Sequence, residues 1–285
     1  MSLVEVSDLY RAFRMGPGTE RVVAVNNVSF AIDAGEALGL VGESGSGKST
    51  IARILVGLER ADAGSAVIDG VDRLRRPRGR AERLARARAV QMVFQDPNGS
   101  LDRRLTVRQT LRRTLRLREE AAGPHADRTI AELLDRVRLT ERHADAKPHE
   151  LSGGQRQRVA IARALAVSPR LVVLDEAVSA LDVSVQAQVL ELLAEIQRES
   201  RVSYLFVSHD LAVVRELCSR VLVLFRGTVV EQGDTERVLT RPEHPYSQLL
   251  IASTPGPGWD PERVVRDRMT FTQRMEVVGG GESGS

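Results

Sequence analysis

The run Gly42-Glu43-Ser44-Gly45-Ser46-Gly47-Lys48-Ser49-Thr50 has the residue types needed to hold a chain of phosphates. Its spacing fits G-x-x-x-x-G-K-[ST], in which glycines let successive backbone N–H groups turn inward onto an anion. A helix beginning at the lysine adds the positive end of its dipole. Lys48 can then reach the terminal phosphates, and the Ser49 hydroxyl can hold Mg2+. Lys48 is informative in itself: of 41 lysine and arginine residues, only Lys48 and Lys147 are lysine. A second constellation is Leu171-Val172-Val173-Leu174-Asp175-Glu176, an apolar run ending in two carboxylates. Side chains alternate along a strand, so one carboxylate can sit near a metal ion while the other faces an attacking water. A strand followed by a solvated acidic turn would look the same when taken alone. A third is Leu151-Ser152-Gly153-Gly154-Gln155. Ser152 suits an ordinary helix N-cap, yet a serine and two glycines at a helix start also make an anion site. One nucleoside triphosphate does not need two cradles from one protomer, so the second hints at a site shared between subunits.

The elements that must position these residues can be read from hydrophobic period. Strands are predicted around Val4 and Val6 and over 21–25, 28–32, 37–41, 66–68, 90–94, 171–174, 203–207, 220–225 and 228–231. The runs GLV, LVVL and YLFV are apolar without alternation, as in parallel strands covered on both faces. Helices are predicted over 48–58, 106–120, 129–137, 154–167, 184–200 and 211–218. The pattern predicts an α/β class, a nucleotide-binding core with an antiparallel β portion and an inserted helical subdomain, about 101–150; with the glycine-rich phosphate loop this resembles a P-loop NTPase core. A core domain over 1–233, a C-terminal extension over 234–272 and a disordered tail over 273–285 are expected, the last because GGGESGS has nothing to bury.

The chain has 285 residues, 42% hydrophobic and 28% charged, with a formal net charge of +3. Such a composition excludes a mainly disordered or fibrous chain. No stretch reaches the roughly 18 consecutive apolar residues of a membrane span, and the start lacks the basic and apolar blocks of a secretory signal. The single Cys218 excludes an intrachain disulfide framework and fits a reducing compartment, so a cytoplasmic location is expected. Cys218 reads as a small buried hydrophobe, and His125, His143, His149 and His244 read as surface residues without ligand spacing. The arginine bias is of the kind a GC-rich genome produces, which argues against reading each arginine cluster as a nucleic-acid patch. The eight arginines between Arg73 and Arg88 read as a solvated insertion. Arg104, Arg108, Arg112 and Arg116 line up beside Val107, Leu111 and Leu115 on a helix, either as a solvated face or as a grip on a membrane subunit.

Taken together, the motifs resemble the nucleotide-binding subunit of an ATP-binding cassette (ABC) transporter over roughly residues 3–255. Gln95 in VFQDP is similar to the family's Q-loop, Ser179-Ala180-Leu181-Asp182 to its D-loop, and His209 in VSHDL to its switch histidine. Phe13 lies where the family places an aromatic that stacks on adenine, with Tyr10 as the other choice. The resemblance implies two protomers head to tail around two ATP molecules. Gly42 to Thr50 would bind ATP, with Ser152, Gly153, Gly154, Gln155 and Asp182 contributing at the nucleotide. Lys48, Gln95, Glu176 and His209 would be catalytic, and Ser49, Gln95 and Asp175 would serve Mg2+. The segments QDPNGSLDRRLTV and HPYSQLLIASTPGP resemble the oligopeptide, dipeptide and nickel importer branch. This implies membrane permease subunits, a second ABC subunit (a copy or a related chain), an indirect solute-binding protein, and a place on the inner face of the cell membrane. No nucleic acid is expected. The alternatives are a component of a phosphonate-cleaving complex or a soluble ATPase acting on nucleic acid or ribosomes. One departure is Ala177, where the family usually has proline; losing that fixed φ is expected to alter coupling at most.

Overall fold

A computed structural model describes residues 2–14, 16, 21–118, 125–254, 262, 269 and 271. The chain opens with long strands β1 (Ser2–Arg14) and β2 (Arg21–Asp33), then β3 (Ala37–Val41) runs into α1 (Lys48–Val56). Next come β4 (Ala63–Ile68), β5 (Val71–Asp72), α2 (Gly79–Ala89), β6 (Val90–Val93) and α3 (Pro97–Ser100). Helices α4 (Val107–Leu115), α5 (His125–Arg136) and α6 (Gly153–Leu165) follow, then the alternation β7 (Leu171–Asp175), α7 (Val183–Ser200), β8 (Ser203–Ser208), α8 (Leu211–Leu217). The described chain closes on β9 (Arg220–Phe225), β10 (Thr228–Asp234), α9 (Thr235–Thr240) and α10 (Pro245–Ala252).

Two sheets result. One is antiparallel in the order β2-β1-β4-β5; the other has six strands in the order β10-β9-β3-β8-β7-β6. Within the second, β9, β3, β8, β7 and β6 run parallel and β10 antiparallel at the edge. Every residue of β3, β7 and β8 is buried, which is why these runs lack alternation. Leu38, Leu40, Val173 and Leu205 pack on α1 through Ile51, Ile54 and Leu55 and on Val4, Val6 and Leu9 of the antiparallel sheet. On the opposite face Val41, Val172, Leu174 and Phe206 join Val159 of α6, Val189 of α7 and the helical segment through Leu111 and Leu134. Each such burial is worth about 1.5–3 kcal/mol, so the sheet is held from both sides. Among the described residues no helix is long and apolar enough to cross a membrane.

Several local expectations change. The strands expected over 21–25 and 28–32 are one strand, since Asn27 takes a left-handed φ of 50° that absorbs the irregularity without ending the pairing. The helix expected over 106–120 ends at Leu115 in a turn, with Leu117 N–H bonding Thr114 O at 3.0 Å. The stretch from Arg73 to Arg88 is not simply a solvated insertion. Arg73 donates to Leu55 O and Arg86 O (3.2 and 3.1 Å), and Arg86 is buried against Glu82 of α2 at 2.6 Å. Of the arginine row expected on one helix only Arg108 and Arg112 lie within α4, and Arg108 is engaged by the protein itself, because it bonds Asp145 at 3.0 Å and also pairs with Glu141. His143 and His244 are half-buried rather than surface residues: His143 bonds Thr140 N–H at 3.0 Å, and His244 caps α10. Cys218 is buried just past α8. The tail expected over 273–285 lies outside the described residues.

Candidate functional site

Parallel strands put their carboxyl ends on one edge, and in such sheets ligands bind there. The register pairs Val41 with Ser208, Asp175 with Val207, and Val93 with Leu174. The loop after β3, the carboxylates ending β7, His209 after β8 and Gln95 beyond β6 therefore share one edge.

The loop from Gly42 to Gly47 is shaped by close approaches that only glycine permits. A Cβ on Gly42 (φ 150°) would stand 2.2 Å from Leu224 O, and one on Gly47 (φ 107°) 2.1 Å from Ala24 O. Ser46 O accepts from Gly227 N–H at 2.9 Å, which ties the loop to the β9–β10 turn. Lys48, only 5% exposed, folds back and donates to Gly42 O and Glu43 O at 2.7 Å each, and to Ser46 Oγ at 3.3 Å. These are neutral acceptors. Burial lowers its pKa, against the opposing pull of Glu176 and Asp175. The Ser49 hydroxyl donates to Asp175 Oδ1 at 3.1 Å. Burial holds the Asp175 carboxyl above the ordinary carboxylate range; the Ser49 hydrogen bond opposes this and the charge of Glu176 adds to it. A buried ammonium and a buried carboxylate, each matched chiefly to neutral groups, fit a site that receives a phosphate and a divalent cation.

Glu176 takes a left-handed φ of 48° and anchors its N–H on Val207 O at 2.9 Å. This turns its carboxylate to His209, whose Nδ1 lies 3.2 Å from Oε1. Ser208 and Asp210 hold the turn around His209, Asp210 N–H bonding Ser208 Oγ at 2.9 Å while its carboxylate caps α8. After Glu176 the turn is tied by Ser179, whose N–H and Oγ both reach Glu176 O (3.2 and 2.9 Å), and Ala177 is buried within it. Hydrogen bonds thus hold the segment that a proline would otherwise restrain. Asp182 caps α7 through Val185 N–H at 3.0 Å, which lowers its pKa.

Other predicted residues stand elsewhere. Gln95 is exposed, and no hydrogen bond joins it to Ser49 or Asp175. Phe13 lies on β1 with the Arg11 guanidinium 4.5 Å from its ring centre, and Tyr10 is paired with Ala63 of β4. Ser152 caps α6, accepting from Gln155 N–H at 3.2 Å, while Gln155 Oε1 accepts Ser152 N–H at 2.9 Å. Gln155 Nε2 also lies 3.3 Å from His143 Nε2. Gly154 is a packing necessity, because a Cβ there would stand 2.3 Å from Val185 Cγ1. Sequence reasoning did not single out the residues opposite the loop. A cavity of about 930 Å³ is lined by Gly42, Glu43, Ser44, Glu176 and His209 on one side, and by Leu250, Ser253 and Thr254 after β10 on the other.

This fold and edge cluster define a P-loop nucleotide-binding cassette. The ABC transporter profile matches residues 25–179, and the profile of the oligopeptide/dipeptide transporter C-terminal region matches 230–276. The chain belongs to the ABC transporter family and carries that C-terminal region. It is 45% identical over 278 residues to the glutathione import ATP-binding protein GsiA of Pectobacterium atrosepticum, covering 96% of this chain and 44% of that one. It thus spans less than half the length of that relative. It is 43% identical over 258 residues to the oligopeptide transport ATP-binding protein AmiF of Streptococcus pneumoniae, covering 90% of this chain and 82% of that protein. Among solved structures, the dimeric post-hydrolysis state of the ATP-binding cassette MJ0796, bound to ADP and Pi, aligns with a TM-score of 0.72 at 30% identity. The alignment covers 81% of this chain and 98% of that one. CbiO1 of Clostridium perfringens, part of an ABC transporter complex, aligns with a TM-score of 0.72 at 26% identity, over 84% and 91% of the two chains.

Proposed function

We propose that this chain is the ATP-hydrolysing subunit of an importer for peptides, or for a related small solute such as nickel. It would work at the inner face of the cell membrane with separate permease subunits, a second cassette protomer and, indirectly, a solute-binding protein. The observation that carries the reading is the grouping of Lys48, Ser49, Asp175, Glu176 and His209 at one sheet edge in a chain that also holds the oligopeptide-type C-terminal region. The relatives named for peptide and glutathione import support the transported class.

In this reading the backbone from Gly42 to Thr50 cradles the phosphates of ATP, and Lys48 leaves Gly42 O and Glu43 O to neutralise the terminal ones. Ser49, Gln95 and Asp175 would hold Mg2+, which would supply positive charge to offset that of the phosphates. Glu176 polarises the attacking water, and His209, held beside it, contacts the γ-phosphate. Phe13 stacks on the adenine. Ser152, Gly153, Gly154 and Gln155 of one protomer, with Asp182 near the junction, complete the site of the other. Phosphoryl transfer needs chiefly positioning and charge neutralisation, and these side chains supply both.

Glu176→Gln keeps the shape and removes the charge. It should abolish ATP turnover, retain ATP binding and accumulate a nucleotide-trapped dimer, read by phosphate release and size-exclusion chromatography. Undiminished hydrolysis would remove Glu176 from the catalytic role. Co-purification tests the import reading: membrane permeases support it, whereas nucleic acid or soluble lyase subunits would replace it.

A further inference from the structure

The His244-Pro245-Tyr246 triplet of the C-terminal region has no part in the mechanism above, yet it reaches the phosphate loop. Tyr246 is 1% exposed, and its ring lies 4.3 Å from that of Phe225 at the end of β9. Its hydroxyl oxygen accepts the Glu43 N–H at 3.0 Å. Glu43 is the second residue of the loop, and its carbonyl accepts from Lys48 Nζ at 2.7 Å. One loop residue is thus held by the extension through its N–H and by the phosphate-binding lysine through its C=O.

The extension is built to deliver that hydroxyl. Glu231 of β10 accepts the backbone N–H groups of Glu243 and His244 at 2.9 and 3.0 Å, which fixes the chain just before α10. His244 Nδ1 accepts Tyr246 N–H at 3.1 Å, and Pro245 sits at the first helical position with its φ already set. Burial pushes the Tyr246 phenol up to about 12, so it remains a neutral hydroxyl at physiological pH. The far end of the same helix contributes Leu250 to the wall facing Glu176 and His209, so the extension flanks the loop at two places.

We propose that Tyr246 is a positioning residue: its hydroxyl braces the Glu43 backbone, holding the phosphate loop in its receptive curl, so that the C-terminal region sets nucleotide affinity. The inference rests on the ATP-binding reading above. Tyr246→Phe removes only the hydroxyl and keeps the ring against Phe225. Because the brace acts on the loop as a whole, the variant should bind ATP and ADP equally more weakly, by about three- to tenfold, the scale of one neutral hydrogen bond. KM for ATP should rise by the same factor, with kcat at saturating ATP and the melting temperature close to wild type. In the nucleotide-free chain, hydrogen exchange at the Glu43 amide should accelerate while neighbouring strands keep their protection. Unchanged nucleotide affinity in Tyr246→Phe overturns the proposal, even if exchange quickens, because Tyr246 would then only pack. Unchanged exchange at Glu43 overturns the brace directly. A wild-type chain that binds no ATP would overturn the underlying reading instead, and the exchange measurement would still judge the brace.

Discussion

Asp175 and Lys48 are costly to bury before nucleotide arrives. Asp175 is 7% exposed and its nearest partner is the neutral Ser49 hydroxyl. Burial raises its pKa, so the folded state penalises the carboxylate. The sign follows from linkage: below the unfolded value of 3.8 both states hold the proton and no penalty exists, whereas above the raised folded value it is fully felt. Asp175→Asn keeps an oxygen for Ser49 and removes the charge. It should raise the melting temperature of the nucleotide-free chain at pH 7 by a few degrees, with the gain fading as the pH approaches 3.8. The same variant should lose the extra stabilisation that Mg2+ and ATP give the wild type, since the group that would face the cation is gone. Thermal melts with and without Mg2+–ATP at both pH values check the pair of effects. A variant less stable than wild type at pH 7 without nucleotide would show that the carboxylate contributes favourably to the fold.

At the scale of elements, α6 and α7 meet where Gly154 passes Val185, and a Cβ there would be 2.3 Å from Val185 Cγ1. Gly154→Ala should therefore destabilise the chain by about 1–3 kcal/mol, the usual cost of overpacking, and Val185→Ala in the same chain should recover most of it. Denaturant unfolding of the two single variants and the double variant checks this; strictly additive losses would show that the two sites do not touch energetically. This contact explains part of what the sequence could and could not reveal. LSGGQ was legible as a helix start because capping is local, and Ser152 and Gln155 form the reciprocal pair. The reason for Gly154 was not, since Val185 lies on the next helix. The phosphate loop was legible because its motif is local, although the contacts that require Gly42 and Gly47, with Leu224 O and Ala24 O, come from other strands. Its tether to Tyr246 spans 203 positions and leaves no local trace. Helix α2 escaped hydrophobic period because Leu84 is its only large apolar residue, although its alanines and arginines are good helix formers. Arg108 looked free because its partners Asp145 and Glu141 come from a distant turn.

At the scale of the whole molecule, the two anion cradles do not line the same cavity of one protomer. The cavity beside the phosphate loop is lined by parts of 42–44, 209–212 and 250–254 together with Glu176, and includes none of Ser152, Gly153, Gly154 or Gln155. The start of α6 is nonetheless a helix end whose first N–H groups have no partners within the helix, a surface suited to a phosphate. In the shared site proposed above, a second protomer turned head to tail places that surface over the loop of the first; the structural neighbour MJ0796 is a dimeric cassette. This arrangement makes an exclusive prediction about mixtures. Lys48→Ala disables the loop, and Ser152→Arg blocks the other cradle, so each variant alone should show no ATP turnover. In a mixed dimer of the two, one site carries both lesions and the other carries none. An equimolar mixture with random exchange should therefore recover about a quarter of wild-type turnover, because about half the dimers are mixed and each has one working site of two. Complementation of this size cannot arise if each protomer completes its own site, because every site would then contain a lesion. A mixture as inactive as its components would remove the shared site between copies of this chain.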